Sequence, residues 1–574
     1  MSTLKSSTSP AKSEPLIIGF DTETVQVPYK GGEKETFFSF QAFPPPTFLT
    51  SPRDIQKFIL SLPPKTKWVG WRIEFDLEVL RSILPEDFSI GYKISKSKII
   101  SGWVGSCKVV ELSNLIPMRS LEQVGKVLGV PKLERPKYLG KRRPTKEELP
   151  YFKRYGVRDA EICYRGYERL RSLFLSVPNT LPSLSVSIFR QFFKGKALYP
   201  KLPSDVEEMG DLAYRGGRTE CFVRGSPDRV VYYYDVNSLY PYVMSAYKYP
   251  LFSSYVGRKG DVDLDKFGLA DALVFQDADI PLLGVKRVVF DKFRKLVFPE
   301  DRVRGVFTYP ELEYLERWGV GKILRIYKAY EWREGWRPFA EFVDKFYQER
   351  NKGEFERSFY KLFLNSLYGK FAQKHPIEKV EILPDGRYKR ETLEGRKLRN
   401  PVVSAYITAY GRIYLYSFYR RVGFDNVLYS DTDSIHTFRK LPESKGILGG
   451  LKREAVGNLN GEREITYVRS KCYIFREMVR WKGWGGLIDA NEIREGIRRG
   501  SLGNVERILI HYIFANRLGL SPLFHLARFK TFSLLPDGKR RYLRDLHGKE
   551  LLEDFTPSRP IKLKDPERDI GVEE

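Results

Sequence analysis

Apolar and polar positions alternate in short runs along the first part of the chain: "LIIGFDTETV" from Leu16, "KWVGW" from Lys67 and "CKVVELSNL" from Cys107. Runs of helical period lie between them, so residues 16 to 178 are predicted to form an α/β unit. Further on, Phe339, Phe342, Val343 and Phe346 recur at helical spacing. Asn351-Lys352-Gly353 interrupts, and Phe355, Phe359, Leu362 and Phe363 restart the period, which predicts a helical hairpin. On its second helix Arg357, Lys361, Asn365 and Tyr368 share one face. "RVVYYYDV" is a β-prone run ending near Asp235, and "NVLYSDTDSI" is another, broken by two carboxylates. "KVEILPDGRYKRETL" reads as a β-hairpin around Pro-Asp-Gly. The last zone, after residue 485, is predicted to hold a basic helix, "NVERILIHYIFANRL", and a hairpin-like run, "FKTFSLLPDGKRRYLRDL". The tail "TPSRPIKLKDPERD" is predicted to be loose, and residues 1 to 15 a disordered tail.

Composition narrows the partners. The 574 residues carry a net charge of +26, with basic runs such as Lys141–Arg143 and Lys539–Arg541. A surface of that sign suits a polyanion, either nucleic acid or an acidic membrane. No run approaches the ~20 apolar residues of a membrane span and no signal peptide is visible, so nucleic acid is the expected partner, with no membrane, in a cytoplasmic protein. Cys107, Cys163, Cys221 and Cys472 form no Cys-x-x-Cys and are read as reduced thiols.

Four groups of residues carry candidate chemistry. Asp431 and Asp433 stand at the tip of a predicted hairpin. A solvent-exposed turn and a divalent-metal site both satisfy that pattern. Asp235, at a strand end beside Ser-Leu-Tyr-Pro, is placed to share a metal with Asp433. Asp21 and Glu23, at i and i+2 of a strand, point to one face. Asp76 lies at an apparent helix start, and Tyr155 and Asp159 stand one helical turn apart.

"DVNSLYP" (235–241), "KLFLNSLYGKF" (361–371) and "YSDTDSI" (429–435) resemble motifs A, B and C of family B DNA polymerases, in the family's order. The resemblance implies an α/β multidomain fold: an RNase H-like 3′–5′ exonuclease domain plus a right-hand polymerase of palm, fingers and thumb with two insertions. It implies that Asp235, the Val236 backbone and Asp433 hold two Mg²⁺ or Mn²⁺ ions, with Asp431 the lesser partner. Tyr240 would exclude ribose, with Leu239 beside it. Arg357 and Lys361 would clamp the triphosphate of the dNTP, and Asn365 and Tyr368 would line its pocket. "FDTET", "RIEFDLEVL" and "YGVRD" resemble the three exonuclease motifs. They imply two-metal hydrolysis by Asp21, Glu23, Asp76 and Asp159, with Tyr155 orienting water. Phe75, Ser120 and Leu121 match strand-holding positions. Arg72 stands where related enzymes often have Asn, which puts primer-end binding there in doubt.

Four features resemble the protein-primed branch, the replicases of small linear phage, virus and plasmid genomes. There is no large domain ahead of the exonuclease zone. "YRGG" (Tyr214, Arg215, Gly216, Gly217) precedes motif A. Two insertions, 247–338 and 373–402, occur where that branch has them, one serving terminal protein and DNA, the other processivity. "TAYGR" (Thr408, Arg412) and "KCY" (Lys471, Tyr473) match primer-strand contacts. The implied division is 1–15 tail, 16–178 exonuclease, 179–246 and 403–485 palm, 339–372 fingers, 486–574 thumb and tail, in a monomer that binds template, primer and a terminal protein. An RNA-primed or primer-independent family B polymerase is the alternative. A catalytically inactive DNA-binding scaffold is the alternative of another class.

Overall fold

The computed structural model describes residues 15–29, 32–95, 98–192, 201–288, 294–373, 376–393, 399–459, 461, 463–482, 490–498, 537–542, 555–563 and 565–566. The tail 1–14 and the predicted helix at 504–518 lie outside the described residues.

The first zone forms a sheet whose strands run, from edge to edge, Tyr388–Leu393, Ile377–Ile382, Ile90–Ser95, Lys98–Val104, Cys107–Glu111, Lys67–Gly70, Ile17–Tyr29, Gly32–Phe43 and Thr47–Leu49. Ile17–Tyr29, Lys67–Gly70 and Cys107–Glu111 are parallel and central. Alternation decides what each face does. Ile18, Phe20 and Thr22 are buried on one side of the first strand, while Gly19, Asp21 and Glu23 look to the other. The helix Leu149–Leu173 crosses that second face. It can do so because residue 19 is glycine: a Cβ there would lie 1.9 Å from the Ala160 carbonyl oxygen. This close crossing lowers Asp159 onto Asp21 and Glu23.

The hairpin within 373–402 forms as predicted, Ile377–Ile382 with Tyr388–Leu393. Its placement is set by a strand distant in sequence. Ile377–Ile382 pairs with Ile90–Ser95 and extends the exonuclease-like sheet. Val380 and Ile382 join that domain's core, and Tyr388 Oη donates to Glu78 at 3.0 Å. Each such buried aliphatic side chain contributes about 1.5–3 kcal/mol, so the docking is not incidental.

A second, antiparallel sheet has the order Leu451–Gly457, Val231–Val236, Ser434–Thr437, Val427–Asp431, Thr219–Cys221. Behind it lies Pro401–Val422, a helix buried almost all round, as expected of an apolar helix inside a large core. The predicted helical hairpin is Ala340–Glu349 and Glu354–Phe371. The segment 247–338 builds a four-stranded sheet of its own, Tyr255–Lys259, Gly321–Trp332, Phe267–Gln276 and Asp301–Thr308. It is tied to the long helix by Tyr406 Oη, which donates to Gly268 O (2.9 Å) and accepts from Gly268 N (2.7 Å).

The described part of the C-terminal tail is not loose. Thr556–Pro560 pairs with Arg540–Tyr542 on one side and Val223–Arg224 on the other, which stitches the chain's end into the base of the second sheet. The helix Ala490–Arg498 precedes the region where a basic helix was expected. All four cysteines are buried and free. Among the described residues no helix is long and apolar enough to cross a membrane.

Two candidate catalytic centres

In the first sheet, carboxylate oxygens of Asp21, Glu23 and Asp159 all lie within 4.8 Å of one another. Asp76 stands beside them, where its Oδ1 accepts from Thr22 N (3.0 Å) and Thr22 Oγ1 (2.6 Å). The helix that carries it, Ile73–Ile83, is started by Glu111, whose carboxylate accepts from the backbone N–H of Arg72 and Ile73. Arg72 itself is exposed with φ +61°, a backbone conformation Asn tolerates better than Arg.

Burial pushes the Asp21 carboxyl well above the usual range, and Glu23, Asp76 and Asp159 push it further. Burial and then Asp159 bring Glu23 up to about 8. Burial brings Asp76 to about 7 against the pull of its Thr22 bonds. The cation that pairs with them is Lys132, whose Nζ lies 2.5 Å from Asp159 Oδ2 and 5.2 Å above the Tyr155 ring. Burial disfavours its charge, but Asp159 outweighs burial and raises its pKa. Tyr155, pushed by burial to about 12, keeps its proton and can only donate or orient. Lys132 was not singled out in the sequence. It sits in an irregular connection with no periodic signal, and only the fold brings it to Asp159. Among the predicted strand-holding residues, Phe75 is half-buried. The Ser120 hydroxyl caps its own helix by accepting from Gln123 N (3.2 Å), and Leu121 is buried in the core.

The second centre lies at the end of Val231–Val236. Asp235 pairs with Ser434, and Val236 N donates to Asp433 O at 2.7 Å. Val427–Asp431 and Ser434–Thr437 are joined by Thr432 and Asp433. Thr432 has φ +63°, unusual for a β-branched residue. The "YRGG" segment holds it there. Thr432 N donates to Arg218 O (2.7 Å), and a Cβ on Gly217 would approach Thr432 Cγ2 to 2.6 Å. Asp235 and Asp433 have no ion pair among the described residues. Burial first, then Asp433 and Glu454, raise Asp235 to about 7, while burial raises Asp433 to about 6. Asp431 is held differently: Thr219 Oγ1 donates to Oδ1 at 2.7 Å, and Lys471 Nζ lies 3.3 Å from Oδ2. All three line a cavity of about 360 Å³ with Tyr233, Tyr429 and Tyr473 among its walls. Beneath it His436, missed in the sequence, is fully buried against these rings and bonded to Tyr467 Oη (2.9 Å). Burial lowers its pKa to about 3, so it stays neutral.

Across from the carboxylates, Glu354–Phe371 presents Arg357 and Lys361, both exposed. Lys361 is close enough to favour the charged forms of Asp235 and Asp433. Tyr368 meets Tyr240 with ring centroids 4.2 Å apart. Asn365 donates to Lys361 O of its own helix. Leu239 is buried at the first position of its helix, Leu239–Ala246.

Three expected nucleic-acid contacts are not at a surface. Thr408 is 1% exposed and bonds to carbonyls of its own helix. Arg412 is 4% exposed: it donates to Arg215 O, Gly216 O and Glu311. Arg215 is 3% exposed and donates to Val306 O. Arg412 thus braces the "YRGG" turn from behind. Breaking a buried pair such as Arg412–Glu311 costs about 3–5 kcal/mol, so an Arg412 defect would appear in folding before primer binding. Tyr214 is half-buried, Tyr473 is buried in the ring cluster, and Lys471 remains partly exposed.

Both donor sets are all-oxygen and anionic, with carboxyls lifted by burial and mutual repulsion. They fit hard divalent cations, which would remove that repulsion.

The described chain thus holds two all-oxygen carboxylate centres, one in an α/β sheet and one on a hairpin facing a basic helix. The family described as DNA polymerase type B, organellar and viral, matches residues 152–440, and the chain belongs to it. It is 25% identical over 371 residues to a probable DNA polymerase of Neurospora intermedia, covering 55% of this chain and 37% of that protein. It is 26% identical over 356 residues to the DNA polymerase of Bacillus phage Nf, covering 58% and 60%. The chain thus spans less than two thirds of these relatives' length. The fold is similar to that of phi29 DNA polymerase solved with primer-template DNA and incoming nucleotides, with a TM-score of 0.70 over 91% of this chain and all of that one, at 17% identity. The multidomain α/β architecture expected from the motifs is the one observed.

Proposed function

We propose that the chain is a template-directed DNA polymerase with a 3′–5′ proofreading exonuclease. The observation that carries this is the convergence of Asp235 and Asp433 at a strand end facing Lys361 on a separate helical hairpin. When bound, two Mg²⁺ or Mn²⁺ ions supply charge neutralisation and oxygen activation at each centre. Asp235 and Asp433, with the Val236 backbone, would hold them at one. Asp21, Glu23 and Asp159, with Asp76 behind, would hold them at the other. Lys361 and Arg357 bind the triphosphate. The Tyr240–Tyr368 pair closes the sugar side of the pocket against a 2′-hydroxyl. Lys132 favours the charged form of Asp159 and holds it in place, and Tyr155 donates to the attacking water. The +26 charge suits a duplex and its single strands.

The reading extends to protein priming and strand displacement by a monomer in the host cytoplasm, with a terminal protein as primer. The two insertions, the separate sheet within 247–338 and the docked hairpin, support that extension. Primer extension on a single-primed circle, with and without a candidate terminal protein, tests it. Products carrying covalent protein at their 5′ ends are expected. Full activity from an RNA primer with no response to the protein would favour the RNA-primed alternative.

A further inference from the structure

A short turn near the C-terminus, Asp537-Gly538-Lys539, sits behind the polymerase-type centre. Asp537 Oδ1 accepts from Lys539 N (3.1 Å), and Gly538 takes φ +74°, so the turn is locally closed. Its remaining bonds reach outward. Asp537 Oδ2 accepts from Ser470 N (3.3 Å), Asp537 O accepts from Lys295 Nζ (3.0 Å), and Lys539 Nζ donates to Thr219 O (2.8 Å). Ser470 Oγ donates to the same carbonyl at 3.4 Å.

Two of these recipients lead to one carboxylate. The hydroxyl of Thr219 donates to Asp431 Oδ1 at 2.7 Å. Ser470 precedes Lys471, whose ammonium lies 3.3 Å from Asp431 Oδ2. Lys471 has φ +61°, which a lysine does not adopt unaided, and its N–H is fixed on Tyr429 Oη (3.0 Å). Both oxygens of Asp431 are therefore held by groups that the Asp537–Lys539 turn props from behind. Asp431 is one bonded turn from Asp433, since Asp433 N donates to Asp431 O at 2.7 Å. Its charge disfavours ionisation of Asp433.

We propose that Asp537 and Lys539 are positioning residues of the polymerase centre. They fix Thr219 and Lys471 on Asp431, and so hold the Thr432–Asp433 turn in the geometry that presents Asp433 with Asp235. This rests on the reading of that centre given above. It makes the Asp537–Lys539 turn part of the active-site scaffold. Groups that orient ligands from behind typically matter by about 10–100-fold in ion affinity or rate.

The test uses the full chain on an Asp21→Ala, Glu23→Ala background, which removes the other acidic cluster. Lys539→Met keeps the stem and removes the donor, and Lys539→Arg restores one. Asp537→Ala removes the acceptors, and Asp537→Asn keeps an oxygen for Ser470 N. Single-turnover incorporation is measured across Mg²⁺ concentration. Mn²⁺ binding is read separately from the free-ion EPR signal, with thermal melting alongside. Lys539→Met and Asp537→Ala are expected to raise the half-saturating Mg²⁺ and weaken Mn²⁺ binding about tenfold, leaving DNA affinity and dNTP KM within about twofold. Lys539→Arg and Asp537→Asn should recover most of the loss. Unmoved metal curves would overturn the inference. So would a lowered melting temperature with incorporation and DNA binding falling together, because that is the signature of simple destabilisation. Asp433→Ala is the control. If it still incorporated nucleotides, the reading of the centre would fall, and this inference with it.

Discussion

In the centre on Ile17–Tyr29, three carboxylates are pooled within 4.8 Å and a lysine already sits among them. In the centre on Val231–Val236, two carboxylates face a cleft, and the lysines that favour their charge, Lys361, Lys452 and Lys471, stand on other elements. The first arrangement is enclosed. Its helix lies against its strand at Gly19, so repulsion has to be partly relieved by a resident charge. The second is open, and one of its counter-charges, Lys361, stands on a hairpin across the cleft. A closed site can idle with its own cation, whereas an open one is completed only when substrate and ions bridge it. The same acidic chemistry is thus held ready in two ways, one by the fold alone and one by the fold plus ligand.

The comparison breaks most sharply by removing one centre at a time. Asp433→Ala should lower nucleotide incorporation by roughly 10³-fold or more while single-strand degradation continues. Asp21→Ala with Glu23→Ala should do the reverse, and the double change should be little worse than either single one. Loss of both activities in either variant would mean the centres are not separate. Next in size is the resident cation. Lys132→Met should slow single-strand degradation by about 10–100-fold and leave incorporation alone. An unchanged exonuclease rate would make the lysine a bystander. Tyr240→Val opens the sugar side of the cleft beside Tyr368, and the dATP-to-ATP preference should fall by roughly tenfold, read from paired kcat/KM values. The smallest effect is on stability. Asp235, Asp433 and Glu23 have folded pKa values of about 7, about 6 and about 8, above their ordinary carboxylate values. The folded state therefore binds the extra protons, and the stability these three groups contribute is fully present below about pH 4 and is lost as pH rises toward 8. Melting in EDTA should drop across that window. Mg²⁺ should restore several degrees at pH 8 and little at pH 5, where protons already occupy the sites. A Mg²⁺ effect independent of pH would argue against carboxylate ligation.

What could be read beforehand followed periodicity. Asp21 and Glu23 share a face because strands have period two, and Tyr155 and Asp159 because helices return after about one turn. The face of Arg357, Lys361, Asn365 and Tyr368 was legible for the same reason. What escaped depended on partners distant in sequence. Lys132 lies in an irregular segment. Thr408 and Arg412 looked like surface contacts until their helix proved buried on every side. The hairpin Ile377–Leu393 was visible as a hairpin, but nothing local names Ile90–Ser95 as its neighbour. Thr556–Pro560 reads as loop because it carries Pro557 and Pro560, yet prolines are tolerated at strand ends and where no ladder donor is needed.

The docked hairpin also bears on how such a protein is cut or recombined. A fragment ending near residue 178 would not carry the whole of the first sheet. It would leave Ile90–Ser95 as a bare strand edge, an open template for pairing with other molecules. The complementary fragment would expose Val380 and Ile382 with nothing to cover them. Exchange between relatives would have to move two distant stretches of gene together, so the two sheets should be inherited as a linked pair rather than shuffled as separate cassettes.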